Sequence, residues 1–307
     1  MNKLSISVVM TTYNGEKYII EQLQSLFQQT RQPDEVLILD DGSSDRTEYI
    51  IREFIDDKKL YNWKFYKNTT NKGWKKNFYD GIKSANGDIV FPCDQDDIWL
   101  PDKIEIMAEI MENYPEINVL EGKTHKFYNN ESLTELLEYN KAHSLDGSLN
   151  KRNFDENYLR IYPGCSMCIR KSFFDSILAY WFDDIQHDAF VSYLALVTGS
   201  YYVLNSVVIN WRKYSGSTSH SAKRTKDMRM GELVLDKNVI EMLYVFNSDN
   251  IKDKEVYKIL NKSRRWNELR IKLVEEKKIL NLIPLLFYIG LYGRKRAYLT
   301  DIFYAIK

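Results

Sequence analysis

Three aspartates stand close together in the segment "FPCDQDDIWLP", where Asp94, Asp96 and Asp97 follow an apolar run. Like charges at this spacing repel one another, and burial would also remove their hydration. The cluster is therefore expected either in a solvated turn or around a cation. Carboxylate oxygens in an Asp-x-Asp arrangement suit a hard divalent cation such as Mg²⁺ or Mn²⁺, which proteins often hold together with phosphate groups.

The segments that lead up to this cluster alternate between apolar strands and amphipathic helices. We predict strands over 4–10, 34–40, 62–68 and 88–93, and helices over 16–29, after the capping residues "DGSSD", over 74–85, and from Pro101 to about 114. This order predicts a mainly parallel α/β sheet covered on both faces. Ligands of such sheets bind beyond the carboxyl ends of the strands, which is where the aspartates, "TTYNG" and "DDGSSD" lie.

The pattern is weaker after about residue 115. A short strand is expected around "PGCSMCIRKSFF", and a helix is expected to begin near His187 or Asp188. The segment "SYYVLNSVVINWRKYSGSTS" predicts two short strands and an exit loop. From about residue 222 onward the sequence is predicted to be mostly helical.

The composition favours one large domain with an appendage, since 44% of the 307 residues are hydrophobic. The 43 basic and 43 acidic residues are unevenly spread, because residues 258–307 hold 12 Lys and Arg against 4 Asp and Glu. A neutral chain with a basic tail is a poor candidate for binding duplex nucleic acid but suits an anionic surface. The apolar stretch 279–292 is too short to span a bilayer, which takes about 20 residues.

Two common nucleotide-binding patterns and a zinc site are disfavoured. No G-x-G-x-x-G follows the first strand, and no G-x-x-x-x-G-K-[ST] occurs. The three cysteines, an odd and sparse number, indicate a reducing compartment. Cys165 and Cys168 form a lone C-x-x-C without a second ligand pair, so small buried residues are the expected interpretation.

Five segments in order, "SVVMTTYNGEKYI", "ILDDGSSDRT", "NKG", "ANGDIVFPCDQDD" and "HD", resemble the family-2 glycosyltransferases of the GT-A fold. The resemblance covers roughly residues 4–220. It implies a catalytic domain over 1–221, with a nucleotide-sugar half at about 1–100 and an acceptor half at about 101–221. Residues 222–307 would form a helical C-terminal region. The form "DQDDIW-P-K" is similar to bacterial surface-polysaccharide enzymes of capsule or cell wall, such as rhamnosyltransferases.

The resemblance also implies roles for individual residues. The nucleotide is expected to contact Thr11, Tyr13, Asn14, Asp41, Asn71, Lys72, Gly73 and Asp94. The metal, Mn²⁺ or Mg²⁺, is expected on Asp96, with Asp94 and His220 as further candidates. The catalytic base is expected to be Asp188. The sugar and acceptor side is expected to include Asp97, Trp99, Gly164 and His187.

Local alternatives remain open for several of these residues. Asp41 could belong to a helix-capping turn, and Asp188 could cap the helix that it opens, with Asp184 as a rival base. Trp99 could be plain core packing. Many relatives carry a histidine in the loop after the last strand. Here Tyr214 stands at that place with His220 six residues later, so the ligand is either absent or replaced by His220.

The resemblance implies an inverting, metal-dependent glycosyltransferase that uses a nucleotide-diphosphate sugar, such as a UDP- or dTDP-sugar. The acceptor would be a glycan or a lipid-linked glycan. The enzyme would then be cytoplasmic and peripheral at the inner face of the cytoplasmic membrane, held by the basic tail, although the C-terminal helices could instead form a homodimer. A sugar nucleotidyltransferase, whose pattern G-x-G-T-R-x-x-P is missing here, and a non-catalytic sugar-nucleotide binding module are the alternatives.

Overall fold

The computed structural model describes residues 3–128, 146–159, 163–214, 225–292 and 295–306, with the backbone alone at 295 and 296. The chain divides into two compact units. The first contains Met1–Arg152, Tyr162–Val191 and Ser200–Ser217, and the second contains Asn153–Ile161, Ser192–Gly199 and Thr218–Lys307. The second unit therefore includes two short segments, Asn153–Ile161 and Ser192–Gly199, that the predicted boundary at residue 222 places in the catalytic domain.

Four parallel strands begin the first unit and confirm the predicted alternation. They are β1 (Ile6–Thr12), β2 (Glu35–Asp40), β3 (Trp63–Lys67) and β4 (Ile89–Asp94), in the order β3-β2-β1-β4. The helices that follow them are α1 (Ile19–Phe27), α2 (Thr47–Lys58), α3 (Trp74–Ser84) and α4 (Lys103–Asn113). All seven residues of β1 are buried, as expected for an apolar strand with neighbours on both sides.

The rest of the sheet is mixed. Its strands are β5 (Ile98–Trp99), β6 (Val119–Tyr128), β7 (Leu149–Lys151), β8 (Met167–Arg170) and β9 (Tyr201–Lys213). The strand β8 runs antiparallel to β4 and β6, so the strand direction reverses there. Within the described ranges the nine strands form one sheet, in the order β3-β2-β1-β4-β8-β6-β9-β5 with β7 beside β9.

Two expectations for this half of the unit are wrong. The strand β6 was not expected, and β9 is one strand of 13 residues in place of two short ones. The register between β6 and β9 shifts twice, which lets one long strand keep pairing through the irregular stretch. The helices here are α5 (Lys171–Ile177) and α6 (His187–Val197), and the start of α6 confirms the helix expected at His187 or Asp188.

The core of the first unit lies between the sheet and its helices. Apolar residues of β1, β2 and β4 pack there against α1 and α4. The three cysteines lie in the same core as buried free thiols. The interpretation of Cys165 and Cys168 as small buried residues is therefore confirmed.

The second unit is helical, as expected after residue 222. It contains α7 (Lys226–Phe246), α8 (Lys254–Val274), α9 (Leu282–Leu286) and α10 (Lys295–Ile306). Its interior holds a charged cluster centred on Asp301, whose carboxylate accepts hydrogen bonds from Arg229, Arg270 and Tyr292. Among the helices in the described ranges, none has both the length and the apolar character to cross a bilayer.

Candidate functional site

The carboxyl ends of β1, β2 and β4 meet at one edge of the sheet. In the paired registers Thr12 lies opposite Asp40, and Thr11 lies opposite Asp94. The loop after β1 is tied directly to the aspartate segment, because Gln95 accepts from the Tyr13 amide at 2.9 Å and donates to the Tyr13 carbonyl oxygen at 3.1 Å. The topology therefore brings the predicted nucleotide-binding residues of β1 beside the Asp-x-Asp cluster.

Asn14 holds the loops after β1 and β2 together. Its backbone amide donates to the Ser43 hydroxyl at 2.8 Å, and its side-chain oxygen accepts from the Ser44 amide at 2.9 Å. The residue adopts a positive φ of 48°, a conformation that asparagine tolerates better than most side chains. Asn14 thus joins the loops after β1 and β2 at the carboxyl ends of these strands.

Asp41 connects the loop after β2 to the predicted nucleoside segment. Its carboxylate accepts from the backbone amides of Lys72 at 2.9 Å and Gly73 at 2.8 Å. Asn71 accepts from the same Gly73 amide at 3.0 Å, and Gly73 has a φ of 80° that glycine adopts without strain. Asp41 is therefore not a cap of α2. Asp45, one residue before the N-cap position of α2, is the aspartate of this loop that accepts from the start of the helix, at 3.0 Å from the Thr47 amide.

The aspartate cluster is electrostatically unfavourable without a cation. Asp94 and Asp96 are partly exposed, whereas Asp97 is only 1% exposed. Desolvation, and after it the negative charges of Asp96 and Asp188, together raise the pKa of Asp94 to about 7. Desolvation also raises the pKa of Asp96 and of Asp97. An added positive charge would relieve this repulsion.

Residues at the end of β9 support the cluster from the other side. The Arg212 amide donates to Asp97 at 2.9 Å, and its guanidinium donates to the Asp96 carbonyl oxygen at 2.8 Å. The Tyr214 hydroxyl hydrogen-bonds to the Asp96 carboxylate. Tyr214 therefore reaches the cluster from the place where many relatives carry a histidine, and His220 lies outside the described residues.

A buried lysine lies beneath the cluster. The Lys103 ammonium donates to the Cys165 carbonyl oxygen at 2.5 Å and lies 3.4 Å from the centre of the Trp99 ring. Burial lowers the pKa of Lys103 to about 8. Trp99 is 2% exposed, with Phe91 beside its ring and the Lys103 ammonium over it, so the structure favours the alternative of core packing, and the sugar-stacking role stays a prediction.

Asp188 lies at the start of α6, with its carboxyl held by two amides. One oxygen accepts from Gly164 at 3.2 Å and the other from Ala189 at 2.8 Å. Burial raises the pKa of Asp188 to about 6, and its charge acts on Asp94, so the two carboxyls lie in one electrostatic environment. Asp184 is exposed to solvent. The geometry thus favours Asp188 over Asp184 as the predicted base.

His187 and Gly164 support Asp188 by packing. The His187 ring stacks on Phe78 at 4.1 Å between ring centres, and burial lowers its pKa to about 3. A Cβ atom on Gly164 would come within 2.5 Å of the His187 ring, so only glycine fits there. His187 and Asp97 are 3% and 1% exposed, which disfavours the predicted contact of these side chains with an acceptor; that contact stays a prediction.

Comparison with known proteins decides the family. The sequence model described as glycosyl transferase family 2 matches residues 7–177, which is more than half of the chain. The chain belongs to glycosyltransferase family 2. The match includes the loops after β1, β2 and β4 and the aspartate cluster, and it ends in α5.

Curated relatives of this family-2 glycosyltransferase match parts of the chain. An uncharacterized glycosyltransferase of Rickettsia typhi is 28% identical over 235 residues, 71% of this chain and 66% of the relative. WfgD of Escherichia coli, named as a UDP-Glc:α-D-GlcNAc-diphosphoundecaprenol β-1,3-glucosyltransferase, is 32% identical over 112 residues, 36% of this chain and 42% of WfgD. The matched segments thus cover between about two fifths and two thirds of these relatives.

Two solved structures show the same fold. S. aureus TarS in complex with UDP-GlcNAc superposes with a TM-score of 0.64 at 19% identity, covering 99% of this chain and 82% of the TarS chain. The mannosyltransferase PcManGT of Pyrobaculum calidifontis, in complex with GDP-Man and Mn²⁺, gives a TM-score of 0.55 at 14% identity, covering 100% of this chain and 86% of that chain. The predicted GT-A architecture is therefore confirmed.

The carboxylate groups at this site of the glycosyltransferase suit a hard divalent cation. Ligand atoms of Asp94, Asp97 and Cys165 all lie within 4.8 Å of one another. One carboxylate oxygen of Asp97 is buried with no nitrogen or oxygen partner among the described residues, beside the weakly donating Cys165 thiol. Mg²⁺ and Mn²⁺ prefer oxygen over a thiol, so the partly exposed carboxylates of Asp94 and Asp96 are the suitable ligands.

Sequence reasoning missed three residues of the site. Gln95, Lys103 and Arg212 each contact the aspartate segment or its support. Gln95 and Lys103 lie in the form "DQDDIW-P-K", which was a usable signal for them. Arg212 comes from a strand more than a hundred residues further along the chain, and its signal was its place two residues before Tyr214, in the segment where relatives carry the loop histidine.

Proposed function

We propose that this glycosyltransferase moves a sugar, with inversion, from a nucleoside diphosphate donor to a hydroxyl group of a glycan acceptor. The observation that carries the proposal is the position of Asp188. Asp188 is 8% exposed as a residue, its carboxyl is held by the Gly164 amide, and its charge raises the pKa of the Asp94 carboxyl. The proposed base thus lies beside the aspartate cluster, which would bind a diphosphate through a divalent cation, at the carboxyl ends of the strands.

The proposed transfer is a single displacement. The Asp188 carboxylate takes the proton of the acceptor hydroxyl while that oxygen bonds to the anomeric carbon. The bond from the anomeric carbon to the diphosphate oxygen breaks, and the nucleoside diphosphate leaves with its electron pair. Because burial raises the pKa of Asp188 only to about 6, the base is mostly ionised at neutral pH.

The divalent cation would be held by Asp96, with Asp94 as a second ligand. When bound, it would neutralise charge on the departing diphosphate. The raised pKa values of the Asp94 and Asp96 carboxyls and the Mn²⁺ in the PcManGT complex support this assignment, in which either Mg²⁺ or Mn²⁺ serves. The compact cluster of ligand atoms includes Asp94, but it joins Asp94 to Asp97 and Cys165 and not to Asp96. Tyr214 and Arg212 would hold Asp96 in position through the contacts described above.

The donor would bind across the loops after β1, β2 and β3. Asp41 accepts from Asn68, Lys72 and Gly73 and retains one lone pair, on Oδ2, for a base ring, while Tyr13 and Asn14 belong to the loop after β1. The complexes of TarS with UDP and UDP-GlcNAc support a uridine or thymidine diphosphate sugar. In this proposal residues 1–100 form the donor half and 101–221 the acceptor half.

The acceptor would be a lipid-linked glycan of a growing cell-surface polysaccharide, in capsule or cell wall. The name of WfgD, a relative that acts on a diphosphoundecaprenol-linked sugar, supports this class. Such an acceptor would place the enzyme in the cytoplasm at the inner face of the membrane. The motif "DQDDIW-P-K" favours transfer of a hexose or rhamnose.

A donor screen tests this function. Nucleotide sugars would be added with Mn²⁺, and the true donor should raise the unfolding temperature, since a ligand at 100 times its Kd stabilises by about 2.7 kcal/mol. The stabilising donor is then incubated with glycan acceptors, and release of nucleoside diphosphate is measured. Release of pyrophosphate from a sugar phosphate and nucleoside triphosphate would instead indicate a nucleotidyltransferase. Binding with neither transfer nor donor hydrolysis would indicate a binding module.

The Asp96→Ala variant tests whether transfer depends on the metal. It should fold as the wild type does, because removal of one carboxylate relieves repulsion. Its transfer activity should be lost, and the wild type should lose activity in EDTA. Full activity of Asp96→Ala in EDTA would contradict a metal-dependent mechanism.

A further inference from the structure

Large apolar side chains on α9, α10 and the turns beside α9 point away from the core of the second unit. Leu280 and Phe287 are 82% and 81% exposed. The residues of this "tail surface" are Ile279, Leu280, Ile283, Leu286, Phe287, Ile289, Leu299, Phe303 and Ile306. Exposed apolar groups this dense within 28 residues mark an interaction surface in a folded protein.

The exposed residues of α10 share one side of that helix. Leu299, Phe303 and Ile306 are spaced by four and three residues, whereas Asp301 and Tyr304 face the interior. One side of α10 is therefore packed against the interior, and its opposite, apolar side is exposed.

The segment around α9 is fixed beside α10. The Tyr298 hydroxyl donates to the Leu282 carbonyl oxygen at 3.2 Å, which joins the two elements. Leu285 is fully buried and packs with Trp266 and Tyr292, so α9 is anchored from below while Ile283 and Leu286 are exposed above. Both parts of the tail surface therefore belong to one supported structure.

Positive charge surrounds the tail surface. Residues 272–307 contain seven Lys and Arg against three Asp and Glu, and one of the three, Asp301, is buried in its ion pairs. Lys272, Lys277 and Lys278 are exposed beside the exposed Glu275 and Glu276, and Lys278 directly precedes the apolar run. In sequence, the basic run 294–296 separates the two apolar parts. Apolar side chains bordered by basic ones match an anionic lipid surface.

We propose that the tail surface binds the surface of an anionic lipid bilayer, with Leu280 and Phe287 entering the boundary between headgroups and acyl chains. A second copy of the chain fits less well, because a two-fold contact would bring the same basic residues together from both copies. The inference rests on the proposed membrane location of the enzyme and deepens it by naming the residues that bind. It does not depend on the transfer chemistry.

Vesicle flotation tests the proposal with the full chain. Vesicles of phosphatidylcholine with about three tenths phosphatidylglycerol would be compared with pure phosphatidylcholine vesicles at low salt. The wild type should float with the anionic vesicles, and this binding should fall several-fold in 0.5 M salt because exposed charges are then screened. The double variant Leu280→Ser/Phe287→Ser should bind at least ten times more weakly. Tyr61→Ser, which alters an equally exposed residue of the first unit, should bind like the wild type.

A second measurement separates loss of binding from loss of folding. Cys93, Cys165 and Cys168 are buried, so an environment-sensitive dye should label a Phe287→Cys variant selectively. Its emission should shift to the blue with anionic vesicles and stay unchanged with neutral ones. Wild-type protein that ignores anionic vesicles at low salt, or a double variant that binds as well as the wild type, would overturn the proposal. The donor screen that tests the proposed function uses no vesicles, so its outcome does not depend on membrane binding.

Discussion

The Tyr214 hydroxyl donates a hydrogen bond to the carboxylate of Asp96. This contact answers the question that the sequence left open at the end of β9, where a tyrosine replaces the histidine of many relatives. A phenol is a poor ligand for Mg²⁺ or Mn²⁺ at neutral pH, but it can orient a carboxylate that is one. Tyr214 is thus suited to position the proposed metal ligand without binding the metal itself.

Removing this contact should weaken metal binding. We expect Tyr214→Phe to lower the affinity for Mn²⁺ about tenfold, the usual effect of losing a hydrogen bond that orients a ligand. Titration calorimetry of the two proteins at one pH measures it. Tyr66→Phe, at an exposed tyrosine of β3, is the control and should leave the affinity unchanged. Equal affinities for Tyr214→Phe and wild type would assign Tyr214 a purely structural role.

The two candidate bases can be separated by matched amide substitutions. Asp188→Asn should keep donor binding and lower kcat by about 10²- to 10⁴-fold, the range that a general base contributes. Asp184→Asn should be nearly silent, because Asp184 is exposed and only its backbone carbonyl is bonded, to Lys75 at 2.7 Å. Initial rates at saturating donor give the comparison. The reverse pattern would move the base by one helical turn.

The charged cluster in the second unit should be important for stability. Asp301 is fully buried, and its carboxylate accepts from Arg229, Arg270 and Tyr292 at 2.8, 2.9 and 2.9 Å. Asp301→Asn would leave two buried guanidinium groups without their common counter-charge, so we expect a loss of about 3–5 kcal/mol in the free energy of unfolding.

Urea unfolding measures that loss, and an exposed ion pair supplies the comparison. Glu255→Gln breaks the solvent-exposed contact with Lys258 and should change the free energy of unfolding by less than about 1 kcal/mol. If the two variants are equally stable, the buried cluster contributes no more than a surface pair.

The sequence predicted the first half of the catalytic unit well because its signals are local. Each of β1 to β4 is an apolar run followed by turn chemistry, and these runs place the loops with Asp41 and Asp94 at one edge. The strand β6 escaped prediction because only its first four residues are continuously buried while most of the rest face solvent. A strand that is continuously buried over only part of its length gives a weak hydrophobic pattern in the sequence.

Burial at the site could not be predicted from spacing. Trp99, Asp97 and His187 stand beside the residues expected to do the chemistry, and residue type alone gives each of them a plausible contact with a sugar. Their burial comes from β9 and α3, which are distant in sequence: Arg212 covers Asp97, and Phe78 stacks on His187. Motifs locate the site, whereas tertiary packing decides which of their residues reach its surface.

Glu121 makes stability depend on pH in a way that one substitution should remove. Its carboxyl is buried on β6, where the Tyr201 hydroxyl donates to it at 2.7 Å, and desolvation raises its pKa to about 7 from the ordinary 4.5. Below pH 4.5 the group is protonated in both states and costs nothing. Between pH 4.5 and 7 the unfolded chain ionises while the folded protein keeps the proton, so stability falls; above pH 7 the loss is complete.

Glutamine at this position cannot ionise and can still accept from Tyr201. Glu121→Gln should therefore raise the free energy of unfolding at pH 8 by about 3 kcal/mol, and by little at pH 5. Urea unfolding of wild type and variant at the two pH values measures the difference, with Glu109→Gln, at an exposed position of α4, as the control. A gain of the same size at both pH values would show that packing, and not the ionisation of Glu121, is what the substitution changes.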